Sequence, residues 1–160
     1  MPLKVLSLRR KSRGAMPELH NLSQWPLDKI LPYIESIKGL LLKFEAKWPD
    51  DVSLELLCEE IDSGAKQLWV VFDEGEPRAV LLGSFKVTVT GFKRYEISAY
   101  AGELRQSETG LIKHIERYAR KRGAVEMEAR SSLGFRRVMR RHGYKPKFET
   151  LCKSLGEANG

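Results

Sequence analysis

Apolar residues recur at three- and four-residue spacings through Leu27, Ile30, Leu31, Ile34, Ile37, Leu40 and Leu41, which predicts an amphipathic helix opened by Pro26 and Asp28. Pro32 places the helix proper near itself, because proline lacks the N–H that an interior turn requires. Trp48, Pro49 and Asp50 break the pattern, and Ser53 caps a second, shorter helix carrying Leu54, Leu57, Cys58 and Ile61 as far as Gly64. The period then changes. Gln67 to Phe72 is a dense apolar run suited to a buried strand, and a turn centred on Gly75 leads into a returning strand, Arg78 to Thr90. After a second turn at Gly91, Arg94 to Tyr100 alternates as a third strand, so the three form an antiparallel meander.

Helical spacing returns from Leu104 to Arg122, with Leu111, Ile112, Ile115 and Ala119 on one face and basic residues on the other, and Gly123 ends the helix. Ala124 to Arg130 alternates Val125 and Met127 against Glu126 and Glu128; reached by a helical crossover, it should lie parallel to its predecessor. Ser131 or Ser132 can cap a further helix, Phe135 to His142, and Phe148 to Lys153 reads as a last strand. Residues 1–24 read as a basic arm with a short edge strand at Leu3, Val5, Leu6 and Leu8, and residues 25–160 as one domain. The fold class is therefore α/β with a mixed sheet: an antiparallel meander, then a β-α-β crossover, with helices on both faces.

Composition narrows the function classes. With 160 residues, 42% of them apolar, the chain suits a single folded domain rather than a disordered one. The formal charge of +7 favours acidic partners without choosing among nucleic acid, phosphorylated ligands and acidic protein surfaces. Cys58 and Cys152 lack metal-ligand spacing, so no metal and no disulfide framework is indicated, and a reducing cytoplasm is the simplest setting. No apolar run approaches the roughly 18 to 20 residues that span a bilayer, so no membrane association is expected.

The element order, together with Ile115, Glu116, Tyr118, Ala119, Gly123 and Ala124 through Gly134 to Gly143 and Tyr144, resembles the GNAT superfamily of acyl-CoA-dependent N-acetyltransferases. Gln67 to Val71, with Gly134, Phe135, Arg137, Val138, Gly143 and Tyr144, look like a divergent GNAT-like group encoded by tailed phages and prophages. The superfamily holds pyrophosphate with a Gln/Arg-x-x-Gly-x-Gly/Ala loop whose backbone N–H groups open a helix. The matching stretch runs from Arg105 to Gly110, and the resemblance implies Ala101, Gly102, Arg105, Ser107, Thr109 and Gly110 as acetyl-CoA-binding candidates. Glu108 stands where the first glycine belongs, which adds a Cβ and a negative charge beside an anionic ligand. Alternatively, Glu103 and Glu108 are first-turn carboxylates complementing the helix dipole, and no phosphate loop exists.

The superfamily's usual tyrosine acid, four residues before the closing Gly-Phe pair, is Met139 here, which cannot donate a proton; Tyr144 and Tyr118 are the nearby candidates, and Tyr144 also reads as the packing aromatic of that pair. Glu96 and Ser98 share a face of the third strand and with Tyr100 could line a cleft where neighbouring strands splay, which makes Glu96 a candidate general base; it is equally explained as the solvent face of a half-buried strand. The histidines, His20, His114 and His142, show no catalytic partner in sequence. Arg136, Arg137, Arg140 and Arg141 crowd one helix and form a patch for nucleic acid or an acidic partner, or a merely solubilising surface.

The resemblance implies a phage- or prophage-encoded GNAT-fold protein, and the departures at Glu108 and Met139 imply a degenerate acetyl-CoA site with weak or no acetyltransferase activity. Such a protein would be a virion or assembly component, partnered by other phage structural or assembly proteins and located in the host cytoplasm or the particle. The rivals are an active N-acetyltransferase moving an acetyl group from acetyl-CoA to an amine, and a basic nucleic-acid-associated protein.

Overall fold

A computed structural model describes residues 16–130 and 133–157, without the side chains of residues 106, 107, 109, 133 and 134. Among these residues five strands, β1 (Glu18–Asn21), β2 (Gln67–Asp73), β3 (Glu76–Val87), β4 (Lys93–Gly102) and β5 (Ala124–Ala129), form one sheet in sequential order. The first four are antiparallel and β5 lies parallel to β4. The mixed α/β architecture expected from the sequence is the one observed, with helices on both faces.

On one face pack α1 (Leu27–Ile30), α2 (Ile34–Lys47) and α3 (Leu54–Asp62). Ile37, Leu40 and Leu41 of α2 and Leu57 of α3 bury against Leu68, Val70, Val80 and Leu82 of the sheet. Pro32 sits in a 3₁₀ turn, Leu31–Tyr33, between α1 and α2, where its missing N–H costs no helical bond. Ser53 caps α3 by accepting a hydrogen bond from the Leu56 N–H at 3.1 Å.

On the other face, α4 (Ile112–Lys121) and α5 (Leu133–Arg141) press Ile112, Ile115, Ala119, Phe135 and Met139 onto Trp69, Val71, Leu81, Tyr95 and Ile97. The centre of this layer is aromatic. Tyr95 is fully buried, its hydroxyl accepts a 2.9 Å hydrogen bond from Trp69 Nε1, and Phe85 and Tyr118 meet its ring edge-on.

Three sequence expectations are corrected. The helix expected from Leu104 begins as a 3₁₀ turn, Gln106–Leu111, and becomes α-helical only at Ile112. Phe148 to Lys153 forms no strand: Phe148 and Leu151 are exposed, and the segment touches the domain through side chains, Lys147 to Glu126 and Arg136 to Glu149, rather than ladder bonds. An apolar alternation supplies a surface for a sheet but not the partner whose N–H and C=O groups complete it. The edge strand is Glu18–Asn21, within the stretch read as an arm, and Leu22 immediately after it is buried. The strand expected at Leu3 to Leu8, and the caps Ser131 and Ser132, lie outside the described residues.

Candidate functional site

The site is set by an irregularity in β4. Leu82 pairs with Ala99 but Gly83 pairs with Ile97, so Ser98 is an extra residue that reverses which face the following side chains meet. Before it, Tyr95 and Ile97 face α4 and α5; after it, Ala99 and Ala101 face α2. The bulge coincides with a second event. β5 pairs with β4 only as far as Ile97 and Ala129, followed by one last bond from the Arg130 N–H to the Ile97 carbonyl at 3.0 Å. The two strands then part, and Tyr100 lies beyond the parting.

Tyr100 stacks on Phe135 of α5, with centroids 5.0 Å apart and planes 9° from parallel. Burial pushes its phenol pKa up, despite the Leu104 N–H that its oxygen accepts. The ring pair packs between β4 and the start of α5 beside an open cleft of about 1710 Å³, whose lining includes Trp48, Leu56, Glu96, Ser98 and Phe148.

Glu96 contributes to this cleft, yet it is 4% exposed and so does not lie on a solvent face. Burial would push its carboxyl up, but hydrogen bonds involving Lys86 and Glu128, with the charges of Lys86 and Arg130, bring the pKa below the ordinary value. Lys86 Nζ lies 2.5 Å from its carboxylate and Arg130 Nε 3.6 Å. A carboxylate so stabilised accepts a proton poorly unless those cations move.

The Arg105 to Gly110 stretch is the 3₁₀ turn and its approach. Glu108 does not project outward from it: the side chain is 5% exposed, and its carboxylate accepts a 3.1 Å hydrogen bond from the Arg105 N–H and pairs with the Arg78 guanidinium. The Glu108 N–H in turn donates to the Arg105 carbonyl at 2.9 Å. A carboxylate reaching back three residues to a backbone N–H is one half of a capping box, so the reading of Glu108 as a helix-start carboxylate describes its role better than an anion beside a ligand. Arg78 ties the turn to the sheet: its other nitrogens bond Asp73 and, at 3.2 Å, the Glu103 carbonyl.

Ala101 is buried toward α2, and Gly102 takes a positive φ of 96° where a Cβ would fall 2.8 Å from Ala79 Cα. The Gly110 Cα faces open space. Ser107 and Thr109 lie along the turn with side chains outside the described set. Tyr144, far from Glu96 in sequence, hydrogen-bonds Glu116 of α4 at 3.1 Å, and burial followed by that carboxylate pushes its phenol up, leaving a neutral donor committed to a neighbour. Met139 is buried core. Arg137, Arg140 and Arg141 are exposed on α5, and Arg136 bonds Glu149 at 3.1 Å. Among the described residues no group of three His, Cys, Asp or Glu side chains could hold a metal, and no helix is long and apolar enough to cross a membrane. Arg78 and the Phe135 partner of Tyr100 escape sequence reasoning, since both depend on strand register. Tyr100, expected with Glu96 in one cleft, is turned by the bulge at Ser98 to the α4 and α5 side, opposite Glu96.

This architecture is shared with N-acetyltransferases of known structure. The chain is similar to glucosamine-6-phosphate N-acetyltransferase from Arabidopsis thaliana, with a TM-score of 0.63 at 13% identity over 89% of this chain and 100% of that one. It is similar to a GCN5-related N-acetyltransferase from Ralstonia eutropha, with a TM-score of 0.63 at 15% identity over 88% of this chain and 100% of the other. A predicted acetyltransferase from Clostridium acetobutylicum, determined with acetyl-CoA, superposes with a TM-score of 0.59 at 16% identity over 88% of this chain and 97% of that one. At such identities the likeness establishes a GNAT-like fold. No family model matches the chain, and no curated protein matches it.

Proposed function

We propose that this chain is a GNAT-fold protein of phage or prophage origin in which the acyl-CoA groove is closed, acetyl transfer is weak or lost, and the domain serves as a virion or assembly component. The observation that carries the reading is the buried Glu108 carboxylate. A pyrophosphate cradle needs N–H groups free of internal acceptors. Here the Arg105 N–H is held by Glu108 and the Glu108 N–H by Arg105, so two donors of this turn are withdrawn from the diphosphate of acetyl-CoA. The phage setting rests on the resemblance of Gln67 to Val71 and of Gly134 to Tyr144, and co-purification with particles tests it.

The closed-groove reading is tested by the melting temperature with and without millimolar acetyl-CoA. A ligand at about 100 times its dissociation constant adds about 2.7 kcal/mol, or roughly 5 to 10 °C for a domain of this size. No resolvable shift is expected, and a shift of several degrees would refute closure. The second reading, an active N-acetyltransferase acting on an amine, is favoured by one observation: Glu96 is a buried carboxylate on the cleft wall where the strands part. It requires the Arg105 to Gly110 turn to open and an acid other than Met139 to protonate the departing thiolate.

A further inference from the structure

The charges of this molecule are sorted by layer. From Ile112 to Arg122 there are five Lys or Arg side chains and one carboxylate, and from Leu133 to Arg141 there are four arginines and none. From Ile34 to Asp62, on the opposite face of the sheet, three lysines stand against eight carboxylates. α4 and α5 cover the same side of the sheet and contribute to one core, and the Tyr144–Glu116 hydrogen bond ties the chain just after α5 to α4, so their exposed cations share one face of the domain. Lys113, Arg117, Arg120 and Lys121 of α4 and Arg137 and Arg140 of α5 are all exposed on it. Among the described residues none of these six has a carboxylate within ion-pair distance.

We propose that the outer face of α4 and α5 binds the phosphate backbone of nucleic acid without reading its sequence. Helical spacing places 113, 117, 120 and 121 in one stripe and 137 and 140 in another. The ten residues of α4 span about 15 Å, and a duplex presents about one phosphate charge per 1.7 Å of its axis. Six cations without an ion pair among the described residues can therefore neutralise a large part of the roughly nine phosphate charges that a duplex presents over that length.

The chemistry of the face separates this partner from others. Among the described residues, the exposed large hydrophobics include none from α4 or α5. A membrane-docking helix would present an apolar face for insertion, and a protein interface would carry aromatic or aliphatic anchors at its centre. Seven of the nine cations on these two segments are arginine, whereas Lys and Arg are equally frequent in the whole chain. The guanidinium fork suits phosphate oxygens, and a merely solubilising surface has no need of it.

The test is binding of the full chain to a fluorescently labelled mixed-sequence DNA duplex, followed by anisotropy across a salt series. Contacts from four or five of the six cations predict a log–log slope near −4, so that affinity falls by about two to three orders of magnitude between 50 and 200 mM salt. The double variants Lys113→Gln/Arg117→Gln and Arg137→Gln/Arg140→Gln should each make the slope shallower by about 2. The control Lys38→Gln/Lys43→Gln removes the same charge from exposed positions on α2 and should leave the slope unchanged. All six positions are solvent-exposed, and an unchanged melting temperature confirms that each variant folds. Absence of binding at low salt would overturn the proposal, as would equal weakening by the control. Slopes that survive both double variants would assign binding elsewhere, such as Arg9 to Arg13, and would equally overturn it. Tighter binding to anionic vesicles or to polyglutamate than to the duplex would also reject it, in favour of a membrane or an acidic protein.

Discussion

Replacing Arg78 with methionine removes the cation that lets a carboxylate sit inside the Gln106–Leu111 turn. Arg78 and Glu108 have side-chain exposures of 13% and 5%, so in the variant Glu108 is left in a poorly hydrated position with one donor, the Arg105 N–H. Removing one partner of a buried pair costs about 3 to 5 kcal/mol. Asp73, the other carboxylate on Arg78, is 26% exposed; it regains water and adds about 1 kcal/mol or less. Glu108→Gln is expected to cost less, about 1 to 2 kcal/mol, because the amide oxygen can still accept from Arg105 and Arg78 keeps Asp73. Urea unfolding of both single variants and of Arg78→Met/Glu108→Gln closes a double-mutant cycle. The expected coupling is about 2 kcal/mol, with the double variant more stable than the sum of the singles predicts. A coupling under about 0.5 kcal/mol would refute the claim that this pair holds the turn.

Two further outcomes follow from the same structure. A Cβ at Gly83 would lie 2.5 Å from Tyr95 Cε1 and Cζ, so Gly83→Ala must displace a fully buried ring and its Trp69 bond. It should cost about 2 to 4 kcal/mol in urea unfolding, and the cost should vanish in a Tyr95→Ala background; an equal cost in both backgrounds would contradict the packing. Glu96→Gln should destabilise by about 1 kcal/mol at neutral pH, because Lys86 and Arg130 are 42% and 71% exposed and water screens both pairs. Against burial, which would raise it, hydrogen bonds and the charges of Lys86 and Arg130 hold the folded-state pKa of Glu96 below the ordinary carboxylate value. Its contribution is therefore present above that value and lost as pH falls through the folded pKa, so the wild-type advantage should shrink only in acid. An advantage that stays constant down to the acid transition would contradict this assignment.

Much of the fold is legible in the sequence because local period and burial agree. Ile112, Ile115 and Ala119 mark the inner face of α4, the dense run before Asp73 becomes the buried β2, and glycines at 75, 91 and 123 take the positive φ their turns demand. Where pairing partners decide, the pattern misleads. Glu18 to Asn21 has little alternation and is a strand because Val70 and Val71 lie beside it, whereas Phe148 to Lys153 alternates better and pairs with no strand among the described residues. The site is less legible still. The bulge at Ser98 reverses the face of everything after it, which no count of alternate positions reveals. Glu108 could be recognised as a departure from the glycine loop, but not as a buried group, since its neutralising partner Arg78 lies thirty residues away on β3.

The most direct measurement of the closed-groove account is the backbone amide spectrum of ¹⁵N-labelled protein titrated with acetyl-CoA into the millimolar range. The account predicts no saturable shift for the amides of Arg105, Glu108 and Gly110, because the first two already have internal acceptors. Saturable shifts centred on those three amides would show that the turn opens to receive a pyrophosphate, and would contradict it.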